Sequence, residues 1–206
     1  MSTVRISIAG SSGSIGTQTL DVVRAENLRC AQGLSDIEYI VSGLGLGSNI
    51  DVLIAQAREF KPSVVAVADI SRHKEVQAAL PGVTVVRDMA DLVRDADVVV
   101  NAVVGFAGLP VTLETLRQGK RLALANKESL IAAGPVVQPL RSVPGAEIVP
   151  VDSEHCAVHQ CLRSTVRPGV EVSRIVLTAS GGPFRGRTIQ DLAEVTVEQA
   201  LAHPTW

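Results

Sequence analysis

Residues 3–25 read TVRISIAGSSGSIGTQTLDVVRA, and this stretch decides the fold. Thr3–Ala9 is a short apolar run typical of a strand, and Thr17–Ala25 is predicted to form a helix. The turn between them contains three glycines at GxxGxxG spacing. A strand, a glycine-rich turn and a helix in this order predict the first unit of an alternating α/β domain.

The glycine-rich turn also has a chemical use. Gly10, Gly13 and Gly16 would allow backbone N–H groups and the positive end of the helix to approach a pyrophosphate. The pattern is a variant of the dinucleotide fingerprint, and its strand-turn-helix context favours dinucleotide binding. The alternative is a tight turn selected only for packing.

The rest of the chain continues the alternation of strands and helices. The predicted strands are Tyr39–Gly47, Val64–Ala68, Val83–Arg87, Asp97–Val104, Arg121–Ala125, Glu147–Val151 and Arg174–Ala179. The predicted helices are Asp51–Glu59, Ser71–Leu80 with a serine cap, Ala90–Arg94, Leu109–Gly119 with a terminal glycine, Ser129–Val137, His155–Leu162 and a short one within 188–206. Such alternation predicts an α/β fold with a mostly parallel sheet and right-handed crossovers.

Composition and charge exclude several classes of protein. Hydrophobic residues make up 46% of the 206 residues and aromatic residues only 2%, which suits the aliphatic strands of a parallel sheet. The net charge of −2 gives no general attraction to nucleic acids or acidic membranes. Cys30, Cys156 and Cys161 form neither a CxxC pair nor an even set, which indicates a reducing, cytoplasmic environment. We expect neither an export signal nor a membrane span.

The end of the second predicted strand bears on the choice of dinucleotide. A carboxylate at this tip would bond the ribose 2′-hydroxyl of NAD and repel a 2′-phosphate. The tip reads LGSN from Leu46 to Asn49 and carries no acid, which favours NADP. Ser48 and Asn49 could donate hydrogen bonds to the phosphate. Asp51 lies close enough to keep NAD as an alternative.

A second candidate site follows the strand that ends near Val151. Asp152 and Glu154 are two positions apart, and in an extended segment such side chains share a face and could bind one cation through hard oxygen ligands. The alternatives are a solvated acidic turn and a zinc site made of Asp152, His155 and His159 on one helical face. Two carboxylates leave most of a six-ligand shell to be filled from elsewhere.

Five separated motifs together resemble one enzyme family. They are Gly10–Gly16, LANKESL at 124–130, PVDSEH at 150–155, LTASGGPFR at 177–185 and AHPTW at 202–206. The chain resembles 1-deoxy-D-xylulose 5-phosphate reductoisomerase along its whole length. The resemblance implies an NADP-dependent and Mg²⁺- or Mn²⁺-dependent oxidoreductase of non-mevalonate isoprenoid biosynthesis. The implied reaction rearranges 1-deoxy-D-xylulose 5-phosphate and reduces it to 2-C-methyl-D-erythritol 4-phosphate.

The resemblance also implies a role for individual residues. Those that would contact the cofactor are Ser12, Gly13, Ser14, Ile15, Gly47, Ser48, Asn49, Asn126 and Glu128. Those that would contact the sugar-phosphate substrate are Lys127, Ser153, Glu154, Ser180, His203 and Trp206. Asp152 and Glu154 would bind the metal, and with Lys127 they form the implied catalytic set. The family often has a lysine where this chain has Ser48.

The resemblance further implies how the chain is organised. Residues 1–150 would form a Rossmann-like NADP-binding domain, and residues 151–206 would begin an α+β catalytic domain. The family's chain continues about as far again, with a further metal-binding glutamate and the phosphate-binding residues, and its full-length members are homodimers. We therefore expect the 206 residues alone to be nearly inactive. The alternatives are an NADP-binding fragment without turnover and another Rossmann dehydrogenase.

Overall fold

The structure of the chain is a computed structural model that describes residues 1–178 and 182–202. The chain forms two compact units, Met1–Asp152 and Ser153–Trp206. None of the described helices combines the length and the apolar character needed to cross a bilayer.

A parallel sheet forms the centre of the first unit. Its strands in chain order are β1 Ser2–Ala9, β2 Ile37–Leu46, β3 Val64–Val67, β4 Thr84–Val86, β5 Val98–Asn101, β6 Arg121–Leu124 and β7 Glu147–Pro150. They lie side by side in the order β4-β3-β2-β1-β5-β6-β7, and every neighbouring pair is parallel. The predicted α/β fold with a parallel sheet is confirmed. The chain moves outward from β1 in one direction as far as β4 and then returns to the other side of β1 with β5.

Helices connect the strands of this sheet. The α-helices of the first unit are α1 Ser14–Ala31, α2 Ile50–Phe60, α3 His73–Ala79, α4 Leu109–Arg117 and α5 Glu128–Val137. Helix α4 is followed at Gly119 by a left-handed residue with φ of 63°, a conformation that glycine adopts without steric cost. The helix therefore ends at the glycine that the sequence indicates.

Alternate residues of each strand face two different apolar layers. Ile8 and Val65 belong to a cluster with residues of α1 and α2, whereas their neighbours Ala9 and Ala66 belong to a second cluster that includes Val111 of α4. All five side chains are fully buried. A sheet covered on both faces needs apolar residues at successive positions, which explains the continuous Val, Ile and Leu runs. The exposed polar side chains of this unit are consequently expected where the strands end.

Two predicted helices of the first unit differ from the structure in helix type or in the residue that caps them. The segment predicted as a helix from Ser71 starts as a 3₁₀ turn at Ile70–Arg72, and α3 begins only at His73. The cap is Asp69, whose carboxylate accepts a hydrogen bond from the Ser71 N–H at 3.0 Å, so the serine cap was wrong. The helix predicted over residues 90–94 is a 3₁₀ turn at Met89–Val93.

The described part of the second unit consists of short helices. They are α6 Ser153–Arg163, α7 Pro168–Glu171, α8 Val197–Leu201 and two 3₁₀ turns at Gly182–Phe184 and Gln190–Leu192. Thr196 and Gln199 form a capping box at the start of α8. Within 174–178, the described part of the predicted Arg174–Ala179 strand, no strand forms. A strand needs a partner for its backbone groups, and the described residues of this unit supply no second strand.

Candidate functional site

The predicted site residues of the first unit lie at one edge of the sheet. The turn after β1, the tip of β2, the Asn126–Glu128 segment after β6 and Asp152 after β7 all follow the carboxyl ends of parallel strands. The order of the strands reverses between β1 and β5, which lie next to each other. In open α/β sheets, ligands bind in the crevice at this topological switch point.

Two of the three glycines in the turn after β1 are required by packing. A Cβ on Gly10 would lie 2.6 Å from the carbonyl oxygen of Ala102, and Gly10 also has a φ of +90°. A Cβ on Gly16 would lie 2.3 Å from the carbonyl oxygen of Gly10. A Cβ on Gly13 would meet only that same oxygen at 3.5 Å, which is an ordinary contact. Packing within the turn therefore does not explain why position 13 is a glycine, and the space beside it is open.

The N-terminus of α1 provides an electropositive surface at this turn. Gly13 is the N-cap residue and supplies no side-chain hydrogen bond to the helix. The first N–H groups of a helix have no intrahelical partner, and the helix dipole favours an anion near them. Ser12, Gly13 and Ser14 are exposed, and Ile15 is half-buried. The geometry fits the backbone cradle for a pyrophosphate that the sequence predicts.

The tip of β2 is exposed and carries no charge of its own. Gly47, Ser48 and Asn49 are all exposed, and the Asn49 side-chain oxygen accepts a hydrogen bond from Val52 N at 3.5 Å at the start of α2. Just beyond this tip, Asp51 interacts electrostatically with Arg72. Hydrogen bonds to Glu75 raise the pKa of the Arg72 guanidinium above its usual value, and Asp51 adds a smaller contribution. The carboxylate that follows the tip, Asp51, therefore has a cation in its neighbourhood.

A cleft of about 270 Å³ joins the turn after β1 to the segment after β6. Its lining residues are Gly13, Ser14, Ile15, Ala102, Val103, Val104, Ala125, Lys127 and Glu128. A second cleft of about 410 Å³ along the same edge shares Val103 and includes Arg87 and Met89. The structure thus brings the predicted phosphate cradle together with Lys127 and Glu128.

Asn126 and Glu128 bond the loop that follows β5. Asn126 is only 2% exposed, and its Nδ2 donates to the carbonyl oxygens of Val103 at 2.7 Å and Gly105 at 2.8 Å. Its Oδ1 accepts from Ser129 N at 3.0 Å. Glu128 accepts the Gly105 N–H at 3.1 Å through Oε1 and the Asn126 amide at 3.1 Å through Oε2. The amide group of Asn126 is thus engaged within the protein, behind the wall of the cleft.

Lys127 and Asp152 form an ion pair at the ends of two neighbouring strands. The Nζ of Lys127 lies 3.6 Å from Oδ1 of Asp152. The Lys127 side chain is 48% exposed, whereas that of Asp152 is 12% exposed. Strands β6 and β7 pair in register with Leu124 opposite Pro150, so the residues that follow them emerge side by side. The two predicted catalytic residues of the first unit are therefore neighbours.

The remaining predicted site residues belong to the second unit. Ser153 is the first residue of α6, and Glu154 lies in its first turn. The helix begins two residues earlier than predicted, so the extended geometry assumed for Asp152 to Glu154 was wrong. Ser180, His203 and Trp206 lie outside the described residues.

The described residues contain no group of three or more His, Cys, Asp or Glu side chains arranged to bind a metal ion. They therefore give no support to the zinc alternative of Asp152, His155 and His159.

Sequence reasoning missed several residues around the cleft. Asn101 and Thr112 are fully buried polar residues, and Gly108 packs so closely on Asn126 that a Cβ there would lie 2.7 Å from Asn126 Cγ. One signal was present in the sequence: an asparagine ends the apolar run of β5. Ala102, Val103 and Val104 carry no such signal, since they read as a continuation of the strand.

Comparisons with known proteins agree on one family. The family model for 1-deoxy-D-xylulose 5-phosphate reductoisomerase matches residues 6–134, and the model for the C-terminal domain of that enzyme matches residues 148–206. The reductoisomerase of Rhodococcus jostii is 52% identical in a 206-residue alignment that covers 98% of this chain and 48% of the relative. The reductoisomerase of Thermosynechococcus vestitus is 43% identical over 210 residues, with the same coverage.

Solved structures give the same result. The Zymomonas mobilis reductoisomerase in complex with NADPH has a TM-score of 0.85 and 34% identity, and the match covers 98% of this chain and 52% of that one. A reductoisomerase in complex with NADPH, fosmidomycin and magnesium has a TM-score of 0.77, 32% identity and the same coverage. The chain spans about half the length of the curated relatives that it matches. On this evidence, the chain belongs to the 1-deoxy-D-xylulose 5-phosphate reductoisomerase family.

Proposed function

We propose that these residues supply the cofactor site and part of the metal and substrate site of a reductoisomerase. The reaction would convert 1-deoxy-D-xylulose 5-phosphate to 2-C-methyl-D-erythritol 4-phosphate in non-mevalonate isoprenoid biosynthesis. One observation carries the proposal: a single cleft joins the phosphate cradle at Gly13–Ile15 to Lys127 and Glu128. A hydride donor and a substrate-binding cation must lie close together for an enzyme that both rearranges and reduces its substrate.

NADP(H) is the proposed cofactor, with residues 1–150 as its domain. Ser12 to Ile15 would hold the pyrophosphate, and Gly47, Ser48 and Asn49 would face the adenosine end. The fit rests on the open Cβ position of Gly13 and on the uncapped N-terminus of α1. The absence of an acid at the β2 tip supports the phosphorylated dinucleotide. NADPH, when bound, would supply the hydride.

Mg²⁺ or Mn²⁺ is the proposed metal, with Asp152 and Glu154 as ligands. Carboxylates are the hard oxygen donors that both ions prefer. Asp152 suits this task because its side chain is largely withdrawn from water, which strengthens its electrostatic interactions. A divalent ion at this site would supply Lewis-acid polarisation of the substrate carbonyl.

Lys127 and three further groups are proposed to contact the substrate directly. The Lys127 side chain is half-exposed, and its ammonium group can place positive charge against the substrate oxygens on which negative charge develops. Ser153, Ser180 and His203 would contact the sugar phosphate, and Trp206 would belong to a segment that covers it and excludes water. Residues 151–206 would begin the catalytic domain to which these groups belong.

Cellular context is proposed from the residues as well. The three cysteines of the chain are free thiols in the structure, which supports a reducing cytoplasm. The proposed partner is a small sugar phosphate rather than a nucleic acid or a membrane, because the net charge is only −2. A homodimer is proposed for the complete enzyme by membership in the family.

Two measurements on the polypeptide that carries these 206 residues test the function. The first is a fluorescence titration with NADPH and NADH, in which we expect tighter binding of NADPH. The second is NADPH consumption with 1-deoxy-D-xylulose 5-phosphate and Mn²⁺ in the protein from the complete reading frame. Asp152→Asn should strongly lower NADPH consumption and raise the Mn²⁺ concentration that consumption requires, because a proposed metal ligand is lost.

Three outcomes would count against the proposal in different ways. Binding without turnover in the complete protein would favour an NADP-binding module. Turnover of another substrate, with metal dependence unchanged in Asp152→Asn, would favour a different dehydrogenase. Equal or tighter binding of NADH would contradict the assignment of the β2 tip.

A further inference from the structure

A row of buried polar side chains runs behind the cleft wall, from the end of β5 to the start of α5. Asn101 Nδ2 donates to Thr112 Oγ1 at 2.9 Å, and Thr112 Oγ1 donates to Ser129 Oγ at 3.0 Å. Ser129 Oγ in turn donates to Oδ1 of Asn126. The first three side chains are fully buried, and the fourth is 2% exposed. We call these four residues the amide–hydroxyl chain.

Backbone groups fix the direction of every bond in the amide–hydroxyl chain. Asn101 Oδ1 accepts from Val103 N at 3.3 Å, and Asn126 Oδ1 accepts from Ser129 N at 3.0 Å. An N–H group can only donate, so both amide orientations are determined. The hydroxyls of Thr112 and Ser129 must therefore both donate toward Asn126. This arrangement turns the Asn126 Nδ2 toward the loop that follows β5.

The loop at residues 103–105 is bonded by the two ends of the amide–hydroxyl chain. Its first residue, Val103, donates its N–H to Asn101 and accepts at its carbonyl from Asn126. The carbonyl of Gly105 accepts a second bond from Asn126 at 2.8 Å. The side chains between and beside these bonds, those of Val103 and Val104, line the cleft. The position of this apolar wall is thus set from behind by buried side chains.

We propose that Thr112 and Ser129 are positioning residues that set the apolar wall for the nicotinamide half of the cofactor. The inference rests on the proposed function. In a Rossmann-like fold, the adenosine half lies over the tip of β2, so the other half lies on the β5 side of the switch point. Val103 and Val104 are on that side. Neither Thr112 nor Ser129 lines the cleft, so each acts through Asn126, which bonds the loop and Glu128.

The proposal predicts a selective loss of affinity. Thr112→Val and Ser129→Ala each interrupt the amide–hydroxyl chain and leave a buried polar group without its partner, a change expected to weaken NADPH binding by about tenfold. Binding of 2′-phospho-ADP-ribose, which lacks only the nicotinamide, should change by less than about twofold. Thr112→Ser keeps the hydroxyl and should bind NADPH as tightly as wild type does. Fluorescence and calorimetric titrations of the same samples measure both ligands.

Thr115→Val is the matched control. Thr115 is on the same helix, is fully buried, and donates only to the carbonyl oxygen of Val111 at 2.7 Å. Its loss removes the same kind of atom without interrupting the amide–hydroxyl chain, so both affinities should stay as in wild type. Parallel weakening of both ligands, or an equal effect of Thr115→Val, would overturn the proposal in favour of a general structural role. Failure of the wild type to bind either ligand would overturn the proposed function together with the inference.

A third measurement needs no substitution and remains informative if a variant does not fold. Val103 and Gly105 donate their N–H groups to Asn101 and Glu128, whereas the Val104 amide is not bonded by these side chains. Hydrogen exchange in the wild-type protein should therefore be slower at Val103 and Gly105 than at Val104. Equally fast exchange at all three amides would contradict a positioned loop.

Discussion

Replacing Gly16 with alanine should destabilise the first unit, although alanine is normally the better residue inside a helix. The new Cβ would lie 2.3 Å from the Gly10 carbonyl oxygen, 2.6 Å from Ser11 Cα and 2.7 Å from Ser11 C. All three are backbone atoms of the tight turn, so no side-chain rotation can relieve the overlap. The strand and the helix would have to separate.

The expected magnitude follows from two opposing contributions. Overpacking a close contact costs about 1–3 kcal/mol, and the upper end applies because backbone must move. The helix propensity of alanine returns about 1 kcal/mol relative to glycine. We therefore expect Gly16→Ala to lower the free energy of unfolding by about 2 kcal/mol.

Gly13→Ala is the control for this prediction. Gly13 has φ of −75° and ψ of 171°, which alanine adopts freely, and its Cβ would meet only one atom, at 3.5 Å. The free energy of unfolding of the Gly13→Ala protein should stay within about 0.5 kcal/mol of wild type. Its methyl group would stand at the N-terminus of α1, so NADPH affinity should fall under the proposed function. Gly16→Ala would then change stability, whereas Gly13→Ala would change cofactor binding.

Urea denaturation followed by circular dichroism measures the stability of both variants, and an unchanged slope with denaturant would confirm that the native fold is retained. A Gly16→Ala protein as stable as wild type would refute the packing argument. Equal destabilisation by Gly13→Ala would refute the distinction between the two glycines.

Three further substitutions test contacts elsewhere in the first unit. Hydrogen bonds from the side chain and then the backbone of Arg5 lower the pKa of Asp97. The ionised Asp97 therefore stabilises the fold above the pKa that it has in the unfolded chain, and this stabilisation is lost as the pH falls through its pKa in the folded protein. In urea denaturation at several pH values, Asp97→Asn should lower the free energy of unfolding by at most about 1 kcal/mol at neutral pH, because the pair is exposed, and should not change it in acid. Gly108→Ala should displace Asn126 and lower the melting temperature together with NADPH affinity, whereas unchanged affinity would count against the role of that contact. Asn27→Ala should cost about 1–3 kcal/mol by removing two 2.8 Å hydrogen bonds between α1 and β2, and a stability equal to wild type in urea would disprove this.

The strands were predictable because each buried strand is a local apolar run, such as Val64–Val67, that ends in polar or glycine residues. Helix types were less predictable. The 3₁₀ turn at Met89–Val93 has the apolar spacing of an α-helix. The segment that contains it must cross from β4 to β5 in few residues, which leaves room only for a short turn. The strand expected from Arg174 does not form within residues 174–178, because pairing depends on a partner segment, which periodicity in one stretch does not reveal.

The turn at Gly10–Gly16 between β1 and α1 was predictable from its motif, since its shape depends on backbone and local order. The surroundings of Asn126 were not. The donors and acceptors of its side chain are satisfied by Val103, Gly105 and Ser129, and its close approach depends on Gly108. These contacts join segments that are distant in sequence, so no spacing rule indicates them. Lys127 and Asp152 meet for the same reason, through the register of β6 and β7.

The exposed apolar segment at residues 174–178 has a consequence for handling the protein. Ile175, Val176 and Leu177 are 59%, 69% and 65% exposed and belong to no strand. Successive apolar residues that pair with no strand in the described part of the chain form a template on which a second molecule can pair. The apparent molecular mass of this polypeptide in light scattering should therefore rise with its concentration. A lysine in place of Val176 should reduce that self-association.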